Sequence, residues 1–136
     1  MGQKDLTQKY LEDYPDVFAD IVNALLYDGK RVLSVENLQS APTETLYYGK
    51  DNQLRNQFHD VSKYVLDNGM IRAQYTLENE MRGSSKMLLR KAGYEGAVYR
   101  EQYGKKTESV YPVISMVLHW GKRKWQTPRE LQDFFR

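Results

Sequence analysis

Two strand-like runs, residues 58–66 and 70–80, are separated only by Asp67-Asn68-Gly69, and this pair constrains the chain more than any other feature. A three-residue hairpin loop takes a type I turn followed by a left-handed residue, most often glycine, and Gly69 stands where that residue is needed. The predicted register sets Leu66 opposite Met70. Because strand residues alternate between faces, Ile71, Ala73, Tyr75 and Leu77 then share one side with His59, Val61, Lys63 and Val65, a mostly apolar surface expected to meet the core. The other side carries Arg72, Gln74, Thr76, Glu78 and Glu80 with Phe58, Asp60, Ser62 and Tyr64. Asp60 falls opposite Thr76, with Glu78 as its diagonal neighbour at roughly 5–8 Å between Cβ atoms. A two-residue Asn68-Gly69 turn would instead shift the pairing by one and send the two acids to opposite faces.

The flanking segments read as helices and one apolar strand. Val17, Phe18, Ile21, Val22, Leu25 and Leu26 recur at helical spacing, with Pro15 suited to a first turn and Gly29 to an end. Residues 4–14 extend or precede that helix, with Leu6, Tyr10 and Leu11 on one side. Residues 31–35 suit a short strand, and 36–55 read as a long connection holding a helical turn near Val35. Arg82-Gly83-Ser84-Ser85 is a polar break. Residues 86–102 are helical in pattern, Gly93 and Gly96 weakening the helix or marking close packing. The run Tyr111–Trp120 predicts a buried central strand, in parallel pairing, with Pro112 at its beginning. Gly121-Lys122-Arg123-Lys124 is a basic turn, and Thr127-Pro128-Arg129-Glu130 has the pattern of a helix start, giving a last short helix over 128–135.

Composition narrows the function classes. No cysteine is present, so disulfides and thiolate metal sites are excluded. No apolar run approaches the roughly 18 residues of a membrane span, and the N-terminus lacks a signal-peptide core, so a cytoplasmic location without membrane association is expected. A net charge of +2 conceals an asymmetry: residues 1–68 hold 7 Lys+Arg against 11 Asp+Glu, and residues 69–136 hold 13 against 7. The basic half suits a polyanionic partner, or is a solvated surface. His59 and His119 are the only histidines and read as packing or surface residues; no paired-histidine metal motif, P-loop or nucleophile elbow occurs.

In order, DVFADIVNALLYDGKRV (16–32), FHDVSKY (58–64), YTLENE (75–80), RKAGYEGAVYREQY (90–103) and YPVISMVLHWG (111–121) resemble the recombination-promoting nuclease family, also named as transposases, within the PD-(D/E)XK nuclease superfamily. The resemblance spans about 16–135. It implies an α/β fold, a mixed β-sheet flanked by helices with a restriction-endonuclease-like core, and DNA cleavage that depends on Mg²⁺ or Mn²⁺. Family chains usually run longer, so residues 1–136 are expected to be one nuclease-like domain lacking the C-terminal part of longer relatives. By the resemblance, Asp60 matches the first metal-binding Asp and Glu78 the Glu of the Glu-x-Lys element, with the main-chain carbonyl of Asn79 as a further ligand. Asp20 is the candidate for the acid that the first helix of such proteins sometimes adds. Glu80 stands where the superfamily usually has Lys and this family often Gln.

Hard cations such as Mg²⁺ and Mn²⁺ take oxygen ligands, commonly one or two carboxylates with water and phosphate. Asp60, Glu78 and Glu80 are therefore the expected catalytic acids. Glu80 cannot supply the cation that a Lys offers to a developing phosphorane charge. Lys63 faces the other way in the predicted register, and Lys86 or Arg90 of the following helix would have to reach in. Arg100, Lys122, Arg123 and Lys124 are candidate phosphate contacts with them. Cutting both strands would need two sites and hence a homodimer. Two other readings stay open: a solvated strand face in place of a metal site, and a non-catalytic DNA-binding or assembly module on a nuclease scaffold.

Overall fold

The computed structural model describes residues 3–48, 54–58, 60–81, 86–105, 110–125 and 129–135. His59, the break at 82–85 and the Thr127-Pro128 helix start lie outside the described residues. The fold is α/β, with three helices and a four-stranded mixed sheet. Helices α1 (Gln3–Asp13) and α2 (Pro15–Leu26) come first, then a 3₁₀ turn at Val35–Asn37 and strands β1 (Leu38–Ser40), β2 (Glu44–Tyr48), β3 (Leu54–Phe58), β4 (Val61–Asp67) and β5 (Met70–Glu80). Helix α3 (Met87–Gly104), strand β6 (Val113–His119) and a 3₁₀ turn at Leu131–Phe135 complete the chain. The sheet order is β1-β4-β5-β6; β2 and β3 form a separate antiparallel pair. Among the described residues no helix is long and apolar enough to cross a membrane.

Several expectations change. No strand forms over 31–35, and the expected connection at 36–55 holds β1, β2 and the first two residues of β3. The run from 58 to 66 divides between β3 and β4. The last segment is a 3₁₀ turn rather than an α-helix. Gly93 and Gly96 are not close-packed, since a Cβ at either would meet nothing within 4 Å. Gly121 is the close approach instead: a Cβ there would lie 2.1 Å from the Met81 carbonyl, so only glycine lets the ends of β5 and β6 meet.

The hairpin register is the main correction, and it is self-compensating. Asn68 and Gly69 both take positive φ, 52° and 75°, and Asp67 pairs directly with Met70. This is the two-residue turn, whose twist matches that of the strands. Alone it would place Asp60 and Glu78 on opposite faces. A bulge intervenes: Val65 pairs with Ala73 but Leu66 with Ile71, leaving Arg72 as an extra residue on β5. The parity is restored but the register moves two residues from the expected one: Thr76 pairs with Ser62 and not Asp60, Val61 pairs with Leu77, and the Asp60 N–H bonds the Leu77 carbonyl at 3.1 Å. The register thus ends with Asp60 beside Leu77 and Glu78.

Both sheet faces are covered. On one, Val61, Ala73, Tyr75, Leu77 and Met116 pack with Phe18, Ala19 and Val22 of α2 and with Leu33. The C-terminal end of the α2 stripe, Leu25 and Leu26, stays exposed. Over the other face, α3 presents a buried stripe of Met87, Lys91, Tyr94, Val98 and Gln102 at helical spacing. Gln74 bonds Ser62 at 2.9 Å and the Tyr94 hydroxyl at 3.0 Å, matching polar groups that the helix buries. Thr76 is 0% and Glu78 8% exposed, which removes the reading of this side as a solvated strand face.

Strand β6 runs parallel to β5, from Gln74↔Val113 to Glu80↔His119, but at the sheet edge rather than its centre. Its apolar run reflects two covered faces: Ile114, Met116 and Leu118 join the α2 core and Val113 the α3 core. Gln102 fastens α3 to the start of this strand through two bonds with the Tyr111 backbone, at 2.9 and 3.1 Å.

Buried Asn23 ties the segment after α2 to the core. Its Nδ2 donates to the Leu33 carbonyl at 2.9 Å, and its Oδ1 accepts from the Val32 and Leu33 N–H groups at 3.2 and 2.9 Å. Asn23→Ala should leave buried backbone groups unpaired and lower unfolding stability by about 2–3 kcal/mol. Urea denaturation measures this; a loss below about 0.5 kcal/mol would show that Asn23 does not hold the loop.

Candidate active site

At the hairpin end distant from the turn, β4 begins and β5 finishes, and helices α1 and α3 supply charged side chains to that end. Asp60 is the centre. Its Oδ2 accepts from the Asn79 backbone N–H at 2.7 Å and the Asn79 side-chain Nδ2 at 3.1 Å, while its Oδ1 pairs with Lys9 of α1 at 3.0 Å. Asn79 Nδ2 also donates to Glu12 Oε2 at 3.0 Å, and Asn79 Oδ1 accepts from the Trp120 indole N–H at 2.7 Å. One amide therefore links α1, β4, β5 and the end of β6. On the α3 side, Glu78 pairs with both Arg90 and Lys91.

Strand alternation explains why Asn79 faces Asp60. Gln74 N–H bonds the Pro112 carbonyl and the Glu80 carbonyl accepts from Trp120 N–H, so even-numbered residues of β5 bond toward β6. The N–H and C=O of Asn79 then point toward the β4 edge, where Asp60 sits. Asp60 and Glu78 can offer a hard divalent cation carboxylate oxygens, and Asn79 a carbonyl oxygen on the same side. Among the described residues no three His, Cys, Asp or Glu side chains converge as a metal-holding group.

The electrostatics are those of a half-buried cluster. Burial pushes the Glu12 carboxyl up; the Asn79 bond opposes this and the nearby Asp60 charge adds to it. Burial pulls the Lys91 ammonium down, against the attraction of Glu78 and, less strongly, of Asp60. Asp60 therefore acts on groups from both α1 and α3. The acids Glu12, Asp60 and Glu78 are met by the cations Lys9, Arg90 and Lys91.

Asp60 and Asn79 bond each other, and Glu78 pairs with Arg90 and Lys91; both groups stand at the same end of the sheet, Asp60 held from α1 and Glu78 from α3. The structure does not bring in Asp20, which is exposed on α2 and lines a separate hollow with Asp16, Arg31 and Glu36. Glu12 supplies the helix acid in its place. Glu80 is half-buried at the end of β5, register partner of His119. Lys86, Arg100, Lys122, Arg123 and Lys124 are exposed around this face or beyond it. Lys63 is buried on the opposite side, bonded to Asp13 at 2.8 Å and Ser40 at 3.2 Å, so it takes no part. Lys9, Glu12, Lys91 and Trp120 were missed by sequence reasoning. Lys91 was findable, because it falls on the apolar spacing of Met87, Tyr94 and Val98, where a Lys must have a partner.

The raised Glu12 pKa fixes a pH dependence. The folded state keeps this proton at a pH where the unfolded chain has lost it, so stability falls as pH rises from the ordinary Glu value of 4.5 through the folded one. Glu12→Gln should therefore raise Tm by roughly a few degrees at neutral pH, and the gain should vanish below the ordinary Glu range. Thermal melts across pH check this; a gain that persists unchanged in acid would contradict it.

Residues 30–136 match the model of the family described as "Putative transposase, YhgA-like". Comparison with curated proteins and with solved structures finds no significant match. The matched region holds Asp60, Glu78, Asn79, Arg90 and Lys91, whereas Lys9 and Glu12 precede it. The chain belongs to this YhgA-like transposase family, which corresponds to the recombination-promoting nucleases of the PD-(D/E)XK group that its sequence resembles.

Proposed function

We propose that this chain is a metal-dependent DNA endonuclease domain of the recombination-promoting, transposase-associated type. The observation that carries the reading is the pairing of Glu78 with the buried Lys91 at the sheet end where Asn79 holds Asp60. The acid-bearing hairpin, α3 and the parallel strand β6 would then form a PD-(D/E)XK core. Membership of a transposase family supports DNA as the partner.

Asp60, Glu78 and the Asn79 carbonyl would hold Mg²⁺ or Mn²⁺. The ion would supply polarisation of the phosphoryl group and a more acidic water. The chain's own residues do the rest. Asn79 fixes the Asp60 carboxylate through two donors, and Trp120 fixes Asn79. Lys9 can exchange its carboxylate partner for a DNA phosphate, and Lys86, Arg100 and Lys122–Lys124 can hold the backbone farther out. Glu80 cannot place a cation beside the phosphorus; Lys91 and Arg90 bring that charge from α3 instead, held in place by Glu78. Because burial lowers its pKa, Lys91 would lose its proton below the ordinary lysine range, giving an alkaline limb to the rate profile.

A second reading, a non-catalytic DNA-binding or assembly module on the same scaffold, is favoured by the cation partners that already neutralise both carboxylates. Plasmid nicking with Mn²⁺ and titration calorimetry separate the two. Asp60→Asn and Glu78→Gln should each reduce nicking by about 100-fold or more while circular dichroism is retained. Unchanged nicking would reject the assignment, and absence of Mn²⁺ binding at millimolar metal would favour the second reading. Lys91→Met should lose nicking by about 100-fold, and Lys91→Arg should restore part of it and move the alkaline limb upward. A full-rate Lys91→Met variant would remove this lysine from the mechanism.

A further inference from the structure

The sheet side that carries Glu78 continues onto β6, where Ser115, Val117 and His119 follow one another at strand spacing. Across from them α3 presents Leu88, Lys91 and Ala92. Between the two runs lies an open cavity of about 550 Å³, lined also by Trp125 and Arg129. Its size suits a small organic ligand. Its position, beside the C-terminal ends of the parallel pair β5 and β6, is where open α/β sheets commonly bind one.

The lining is specific in its chemistry. Ser115 Oγ and His119 Nδ1 are screened from solvent and have no hydrogen-bond partner among the described residues. Buried polar atoms left unmatched are costly, and a ligand that bonds them removes that cost. His119 Nε2 lies 2.6 Å from the Arg123 carbonyl, which only accepts, so Nε2 carries the proton. In the neutral ring Nδ1 is then an acceptor, while the Ser115 hydroxyl can donate or accept. The cavity thus asks for a ligand edge with an N–H donor beside a second polar atom. Trp125, set edge-on to His119 at 5.4 Å, adds a flat aromatic wall, and Leu88, Ala92 and Val117 add apolar surface. Lys91 and Arg129 add positive charge, against the carboxylate of Glu95. A planar, polar-edged group attached to a phosphate meets all of these demands.

We propose that this cavity receives a nucleobase of the DNA, taken out of its stack and laid against Trp125, with its polar edge on Ser115 and His119. The idea extends the nuclease reading, because Lys91 forms both the cavity wall and a partner of Glu78, so the base would sit next to the phosphate addressed by the acid cluster. Proteins that extrude a base read it in this way, by stacking and by hydrogen bonds to its edge.

The test uses deoxynucleoside monophosphates as probes, without metal, on the full chain, and follows the assigned Trp125 indole N–H signal by NMR. Nucleotides should shift that signal saturably, and deoxyribose 5-phosphate should shift it far less. Ser115→Val and Trp125→Ala should each weaken nucleotide binding, measured by calorimetry, by about ten-fold. Equal effects of the nucleotide and the sugar phosphate would mean that the cavity holds only phosphate and would overturn the proposal. No response to any nucleotide, with Mn²⁺-dependent nicking intact, would overturn the base pocket and leave the nuclease reading standing. A response lost in Ser115→Val, in a chain that never nicks DNA, would uphold the pocket and reject the nuclease.

Discussion

The pairing of β4 with β5 decides where every charged group of the site can point. A strand repeats every two residues, so a single slip moves a carboxylate from one layer of the protein to the other. Here the tight Asn68-Gly69 turn and the extra Arg72 each shift the parity once. The two shifts cancel before the chain reaches Ser62↔Thr76 and Val61↔Leu77. Asp60 and Glu78 thus share one end because of a local irregularity at the other end. Neither shift could be removed alone without turning Ser62 and Tyr64 into the α2 core and Val61 out of it.

That register also places polar groups where a helix covers them, and the cluster must settle its charge internally. Three carboxylates at one sheet end would repel and hold protons. Lys9, Arg90 and Lys91 oppose them, and Asn79 spends each polar atom of its side chain on a neighbour. Both layers contribute charge: Lys9 and Glu12 come from α1, Arg90 and Lys91 from α3. Closure of the site therefore depends on both helices docking, and the burial that shifts Glu12 and Lys91 is a consequence of that docking.

Much of this was legible in the sequence, and the misses have physical causes. Local periodicity found α2, β5, α3 and β6, because each buries a regular face. The face of each hairpin residue was anticipated through the wrong turn, and the unforeseen bulge restored the parity; the pairing partners were not anticipated, since Thr76 meets Ser62 and not Asp60. Strands β1, β2 and β3 lack a strong alternating pattern, so the stretch around them read as a connection. Asp20 was selected as a helix acid because α2 carries the clear apolar stripe. The helix that reaches the site is α1, whose Tyr10 and Leu11 are exposed while Glu12 is buried. An apolar stripe identifies the face that meets a core, and it says nothing of a face that meets charge.

The same reasoning explains why a lysine on α3 can stand in for one on the strand. Position 80 lies beyond the point where α3 covers the sheet tightly: Glu80 is half-buried, whereas Glu78 and Lys91 are buried. A cation is worth most to a developing phosphate charge where water is excluded. Among the residues of this end, Lys91 is the cation with that environment, and Glu78 keeps it charged against the cost of burial. Its wall on the neighbouring cavity then joins two demands in one side chain. A nucleotide in the space under Trp125, as proposed, would cover the cavity side of Lys91 and strengthen its field at the acids. On the proposed reading, occupancy of the cavity and chemistry at Asp60 and Glu78 would be coupled through a single ammonium group.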